Sequence, residues 1–193
     1  MKEQIKAYQD ALKRNPADRE AFEQLSNILK ENRKWKALLG LSEAYPDLAD
    51  WVGLVNSLAA GVADEESPEK KSSLMHVIGQ ILEVKLNRPD EAIKLYQKAV
   101  KTWNGRTESF DAARKIYRLQ GNYKMVVRLL QLELQVAATA QRQASLFTEL
   151  SLLCQNELAS AETDPEKRQK LFENAALYEA KANEVLRAVE EAK

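Results

Sequence analysis

Residues 88–100 read RPDEAIKLYQKAV. Pro89 suits the first turn of a helix, where its missing N–H costs nothing. Asp90 and Glu91 follow where the helix dipole favours negative charge. Ala92, Tyr96 and Ala99 then recur at intervals of four and three, so they share one face, with Ile93 beside them. An ordinary amphipathic helix buries Leu, Ile and Val. This one alternates small and large residues, as a helix must when a second helix approaches it closely at fixed points.

The pattern has a copy upstream. Residues 5–13, IKAYQDALK, match residues 93–101, IKLYQKAVK, at Ile, Lys, Tyr, Gln, Ala and Lys. The offset is 93 − 5 = 88, and the register runs on without a gap: Glu20 falls on Glu108, Phe22 on Phe110, Ile28 on Ile116, Trp35 on Tyr123 and Lys36 on Lys124. A second register, with an offset of 72, sets Trp51 on Tyr123, Leu58 on Leu130, Leu74 on Leu146, Ile78 on Leu150 and Leu86 on Leu158. Two registers in one chain mean an internal repeat. Their difference, 88 − 72 = 16, places an insertion between Trp35 and Trp51.

Glycine and proline are scarce and fall where helices would break. The apolar periodicity between them predicts about ten helices, over 2–14, 18–31, 34–45, 48–62, 70–86, 89–102, 107–119, 122–139, 141–158 and 165–191. KMVVRLLQLELQV (124–136) is rich in β-branched residues, but its length and lack of turn signals favour a buried helix over a strand. The expected class is all-α, a stack of antiparallel helical hairpins forming one domain over 1–193. An atypical inserted helix is expected near 34–50, and a long helix at the C-terminal end.

In these features the chain resembles the tetratricopeptide repeat family, whose repeat is a helical hairpin of about 34 residues. Ala92, Tyr96 and Ala99 match the signature of its second helix. Phe22, Leu25, Ser26 and Leu29 match a first helix, as do Met75, Ile78, Gly79 and Leu82, and Phe110, Ala113 and Tyr117. Leu38 and Tyr45 stand where that second-helix pattern has alanines, so the 34–45 helix departs from it. The resemblance implies a right-handed α-solenoid.

It also implies where a partner binds, because first helices line the concave surface of such arrays. Carried over residue by residue, that surface is Glu23, Gln24, Asn27 and Lys30, then His76 and Gln80, then Asp111, Lys115 and Arg118, and finally Thr148 and Glu149. A modest basic cluster forms at Lys115 and Arg118, with Arg114 beside it. The family's carboxylate clamp for chaperone C-termini requires Lys and Asn one turn apart on a first helix. Asn27 is present, but Glu23 has the wrong charge at the partner position, which argues against that clamp.

Composition narrows the function further. Lys and Arg number 29 and Asp and Glu number 29, so no global field draws the chain to nucleic acid or anionic lipid. No apolar run is long enough to span a membrane, and the charged start MKEQIKAYQDALKRNP lacks the apolar core of a signal peptide. The default compartment is the cytoplasm. Cys154, the only cysteine, lies on a helical apolar stripe and reads as a small buried hydrophobe. His76 is the only histidine, and no metal, nucleotide or triad motif accompanies it, so no cofactor and no catalysis are expected. Asp64-Glu65-Glu66 reads as a solvated loop, and Trp35 and Trp51 as hairpin-packing residues rather than a base-stacking platform.

The expected function is a non-catalytic scaffold that binds a protein or peptide, and neither nucleic acid nor membrane. The alternatives are a helical-repeat protein of RNA processing and a helical ligand-binding domain. Leu171, Tyr178, Val185 and Val189 recur at coiled-coil spacing on the last helix, which serves either as an end cap or as a self-association surface. In the 88-residue register, residues 1–14 answer to 89–102, a second helix, so the chain reads either as a capped domain or as a window from a longer array.

Overall fold

The computed structural model describes residues 1–191. These form helices α1 (Lys2–Arg14), α2 (Arg19–Glu31), α3 (Trp35–Ala44), α4 (Trp51–Asp64), α5 (Pro68–Gln80), α6 (Pro89–Thr102), α7 (Thr107–Leu119), α8 (Tyr123–Leu134), α9 (Ala140–Leu153) and α10 (Pro165–Glu191), with no strand among the described residues. The all-α expectation holds. Most boundaries fall within a residue or two of the periodicity, because the local chemistry sets them. Asp18, Asp50, Ser67, Asn122 and Thr139 each accept a backbone N–H at the start of α2, α4, α5, α8 and α9. Pro68, Pro89 and Pro165 occupy first helical positions. α4 opens at Trp51 rather than 48, since Leu48 N–H turns back to the Tyr45 carbonyl at 3.1 Å.

Two helix ends differ from the expected continuous α-helix. α5 runs into a π turn, Ile81–Lys85, and α9 into another, Cys154–Leu158, followed by the short helix Ala159–Ala161. In each the ring is one residue wider: Leu86 N–H reaches the Ile81 carbonyl at 3.1 Å, and Ala159 N–H reaches that of Cys154.

The chain forms two compact units, Met1–Leu95 and Tyr96 onward. In the first, α1 packs on α2, α2 on α3 and α4 on α5, while α3 meets α4 only sparsely. Leu12, Leu25, Leu38 and Leu58 are its fully buried centres. Ile5 and Tyr8 are half-buried on α1. In the second, α7 packs on α8, α8 on α9, and α10 lies along α9. Val126, Leu130, Leu146, Leu150 and Leu153 make its core, with Tyr117, Phe147 and Tyr178 against it. Ala175 and Ala182 are buried on α10, and Tyr178 stacks on Phe147 at 6.3 Å. Leu171, Tyr178, Val185 and Val189 are half-buried on the same helix.

α3 is where the two registers overlap. At an offset of 88 it falls on α8; at 72, α3, α4 and α5 fall on α7, α8 and α9. Trp35, Trp51 and Tyr123 each open a helix, the first two 51 − 35 = 16 residues apart. Ala92, Tyr96 and Ala99 are all 0% exposed, as a helix approached closely along that face requires.

No described helix is long and apolar enough to cross a membrane.

Candidate peptide-binding groove

α7 begins at Thr107, and its apolar stripe, Phe110, Ala113 and Ile116, is buried. The spacing of the helix then forces Asp111, Lys115 and Arg118 along the adjoining flank, with Arg114 between the two faces. Arg114 therefore goes inward. Its side chain is 4% exposed and meets Glu133 of α8, which is 0% exposed. It also meets Asp111, and its Nε lies 3.5 Å from Glu149 of α9. Arg142, at the start of α9, holds Glu133 through Nε at 2.7 Å and Asp111 through Nη2 at 2.9 Å. Arg118 Nη2 reaches Glu149 at 3.1 Å.

Three guanidiniums thus alternate with three carboxylates across α7, α8 and α9. Desolvating Arg114 and Glu133 is expensive, and such a pair persists only when each charge has several partners. Here each has. Burial pulls the Arg142 guanidinium down, but Glu133 and Asp111 outweigh that and hold its pKa above the ordinary value. A cation with a raised pKa contributes its stability throughout the range below its ordinary pKa, so Arg142 stays charged at any working pH.

Above this layer α7 and α9 leave an open groove of about 340 Å³, lined by Asp111, Arg114, Lys115, Arg118, Leu119 and Glu149. Leu119, 79% exposed, is an apolar foothold at its edge. The Arg118 Nε–H is shielded from solvent and meets no acceptor among the described residues. The groove can therefore offer a ligand one apolar contact and charges of both signs.

Of the residues expected on the partner-binding face, Asp111, Lys115, Arg118 and Glu149 come together in this groove. Thr148 faces outward and donates its hydroxyl to the Ala144 carbonyl at 3.0 Å, so it lines a different flank of α9. Glu23, Gln24 and Asn27 are exposed and Lys30 half-buried, a strip on α2 by itself. Gln80 is exposed and borders a shallow groove with Trp51 and Lys85. His76 corrects the expectation of a partner contact. It is 7% exposed, because Ser72, His76 and Gly79, at intervals of four and three, form the interior stripe of α5.

Sequence reasoning missed Glu133, Arg142 and Leu119. Glu133 carried a signal: it falls on the buried stripe of Val126 and Leu130, an acid among apolar residues at helical spacing. Such a residue demands a buried cation, and Arg114 is the one within reach.

Among the described residues no group of three or more His, Cys, Asp or Glu is arranged to hold a metal ion. Burial pushes the Cys154 thiol up, which disfavours the thiolate.

No protein-family model matches the chain, and no curated protein matches it. Among solved structures, one of the MamA protein aligns with 99% of this chain and 96% of its own at 17% identity, with a TM-score of 0.56. A second MamA structure aligns with 97% of this chain and 89% of its own, at 14% identity and a TM-score of 0.49. YrrB, described as a TPR protein with an unusual peptide-binding site, aligns with 96% of this chain and 99% of its own, at 16% identity and a TM-score of 0.38. The likeness at 0.56 bears on the fold alone. With helices packed in pairs within each unit and the Ala92, Tyr96, Ala99 signature buried, the chain carries a tetratricopeptide-like helical-repeat fold.

Proposed function

We propose that this chain is a divergent tetratricopeptide-repeat protein of the cytoplasm, a non-catalytic scaffold that binds a protein partner through a peptide segment laid along the α7–α9 groove. The observation that carries the reading is that Asp111, Lys115, Arg118 and Glu149, each chosen from its place on a first helix, line one groove beside an exposed Leu119. The segment that fits has mixed charge and one apolar side chain. Nucleic acid does not fit: Arg114, Arg118 and Arg142 each have a carboxylate partner, and the net charge is zero. Of the two roles open to α10, the end cap is the better supported, since its stripe includes Ala175 and Ala182, buried where α10 lies along α9.

The test is affinity capture with the intact protein beside a Lys115→Glu, Leu119→Ser variant. Both substitutions lie on exposed positions, so the melting temperature should not move. The reading expects the wild-type protein to capture a partner that the variant loses. An identical set of captured proteins would overturn it.

A further inference from the structure

The first unit has its own groove, of about 500 Å³, between the starts of α3 and α5 and the body of α4. Its floor is apolar: Trp35, Leu39, Leu58, Leu74 and Val77. The Trp35 indole lies flat enough on Gly61 that a Cβ there would come within 2.8 Å of the ring. On the rim, Arg33 is held by Asp64 at 2.9 Å, and Glu65 accepts the Ser67 N–H at 3.0 Å. Lys36 and Lys70 are both exposed and line the same groove. Neither has an ion-pair partner among the described residues.

The 72-residue register says what this groove lacks. Lys70 falls on Arg142 (70 + 72), Leu39 on Asp111, Ser42 on Arg114, Gly61 on Glu133 and Val77 on Glu149. Burial follows the register, since Leu38 and Phe110, like Ser42 and Arg114, are buried in both units. In the second unit these positions fill with ion pairs. In the first the cation remains, as Lys70, while all three carboxylates have become Leu, Gly or Val. Their loss empties the site and leaves it apolar.

We propose that this groove docks a short peptide segment from another protein, with an apolar centre flanked by acidic residues. The apolar side chains cover Trp35, Leu39 and Val77, and the flanking carboxylates pair with Lys70 and Lys36 as Asp111 and Glu133 pair with Arg142. The charge complementarity is specific. A basic peptide would face two ammonium groups against the one carboxylate of Glu65, and a purely acidic one would leave the apolar floor wet. This surface is separate from the one proposed above and stands or falls independently of it.

The experiment uses the full chain and a fluorescein-labelled peptide with Leu-Phe at its centre between runs of Asp and Glu. One control peptide replaces the acids by Lys, and another replaces Leu-Phe by Ser. Anisotropy should rise to saturation with the first peptide only. Affinity should fall by about tenfold in a Lys36→Glu, Lys70→Glu variant of unchanged melting temperature, and also as salt is raised. Leu39→Asp, which supplies in cis the acid that Asp111 gives Arg142, should displace the peptide as well. Lys115→Glu in the second unit should leave binding intact. Equal binding of the basic peptide, indifference to the double reversal, loss only with Lys115→Glu, or no binding of any peptide would each overturn the proposal.

Discussion

Arg33 adopts a left-handed backbone, φ 52°, at the turn between α2 and α3, and Gly121, φ 67°, does so between α7 and α8. They are 88 residues apart, and the next N–H closes the same ring in each case: Lys34 to Leu29 at 2.9 Å and Asn122 to Tyr117 at 2.8 Å. Only the glycine occupies that conformation without steric cost. Arg33→Gly should therefore stabilise the fold by about 0.5–1 kcal/mol, the relief of strain less the added chain entropy. Its exposed pair with Asp64 is worth too little to reverse the sign. A thermal melt that fell would refute this. Both turns were legible in sequence, as the breaks between the helices expected over 18–31 and 34–45 and over 107–119 and 122–139; the left-handed backbone was announced by a glycine only at Gly121. Glu133 poses the opposite case, a residue whose neighbours decide its value. Glu133→Gln removes the charge opposite buried Arg114 and should cost about 3 kcal/mol in denaturant unfolding, whereas replacing both by apolar residues of similar size should cost far less. A single variant as stable as wild type would show that Asp111 and Glu149 suffice to neutralise Arg114.

At the scale of elements, helix existence was written in the apolar period and most helix starts in the caps, whereas some ends were not legible, α8 stopping at Leu134 rather than 139. What escaped was the partnership of helices. Periodicity fixes which face is apolar but not which neighbour covers it, and Arg142 joins Glu133 and Asp111 only because α9 lies beside α7. The π turns escaped for a related reason, being set by backbone hydrogen bonds that no side chain announces. The small residues of α6 were legible in full. Ala99 is wholly buried, and Ala99→Leu adds volume where none is free. Overpacking there should cost about 1–3 kcal/mol, read as a lower melting temperature. An unchanged melt would mean that α6 has room at its small positions.

For the whole molecule, Cys154 offers a probe of global opening. The thiol is buried just past the end of α9, and burial raises its pKa. An acid with a raised folded pKa contributes stability below its ordinary pKa and loses it as pH climbs through the folded value, so any penalty from this group lies on the alkaline side. At mildly alkaline pH a thiol reagent should label the native chain far more slowly than the denatured one, with the native rate rising across the unfolding transition. Labelling as fast as that of the denatured chain would mean that the end of α9 opens locally. The charge balance, 29 against 29, was fully legible and turned attention from nucleic acid. It did not reveal that three of those arginines and three acids meet at one place.

That meeting place bears on how a repetitive chain avoids assembling wrongly. Helices α3–α5 and α7–α9 share a register, and chains with near-equivalent hairpins are prone to exchange them between copies as they fold. If α3 from one molecule took the place of α7 in another, Glu133 would face Ser42 instead of Arg114, and Arg142 would face Leu39 instead of Asp111. Buried charges stranded in this way cost several kcal/mol. The two hairpins are therefore not interchangeable, and the chain at high concentration should refold to the same species that it forms when dilute.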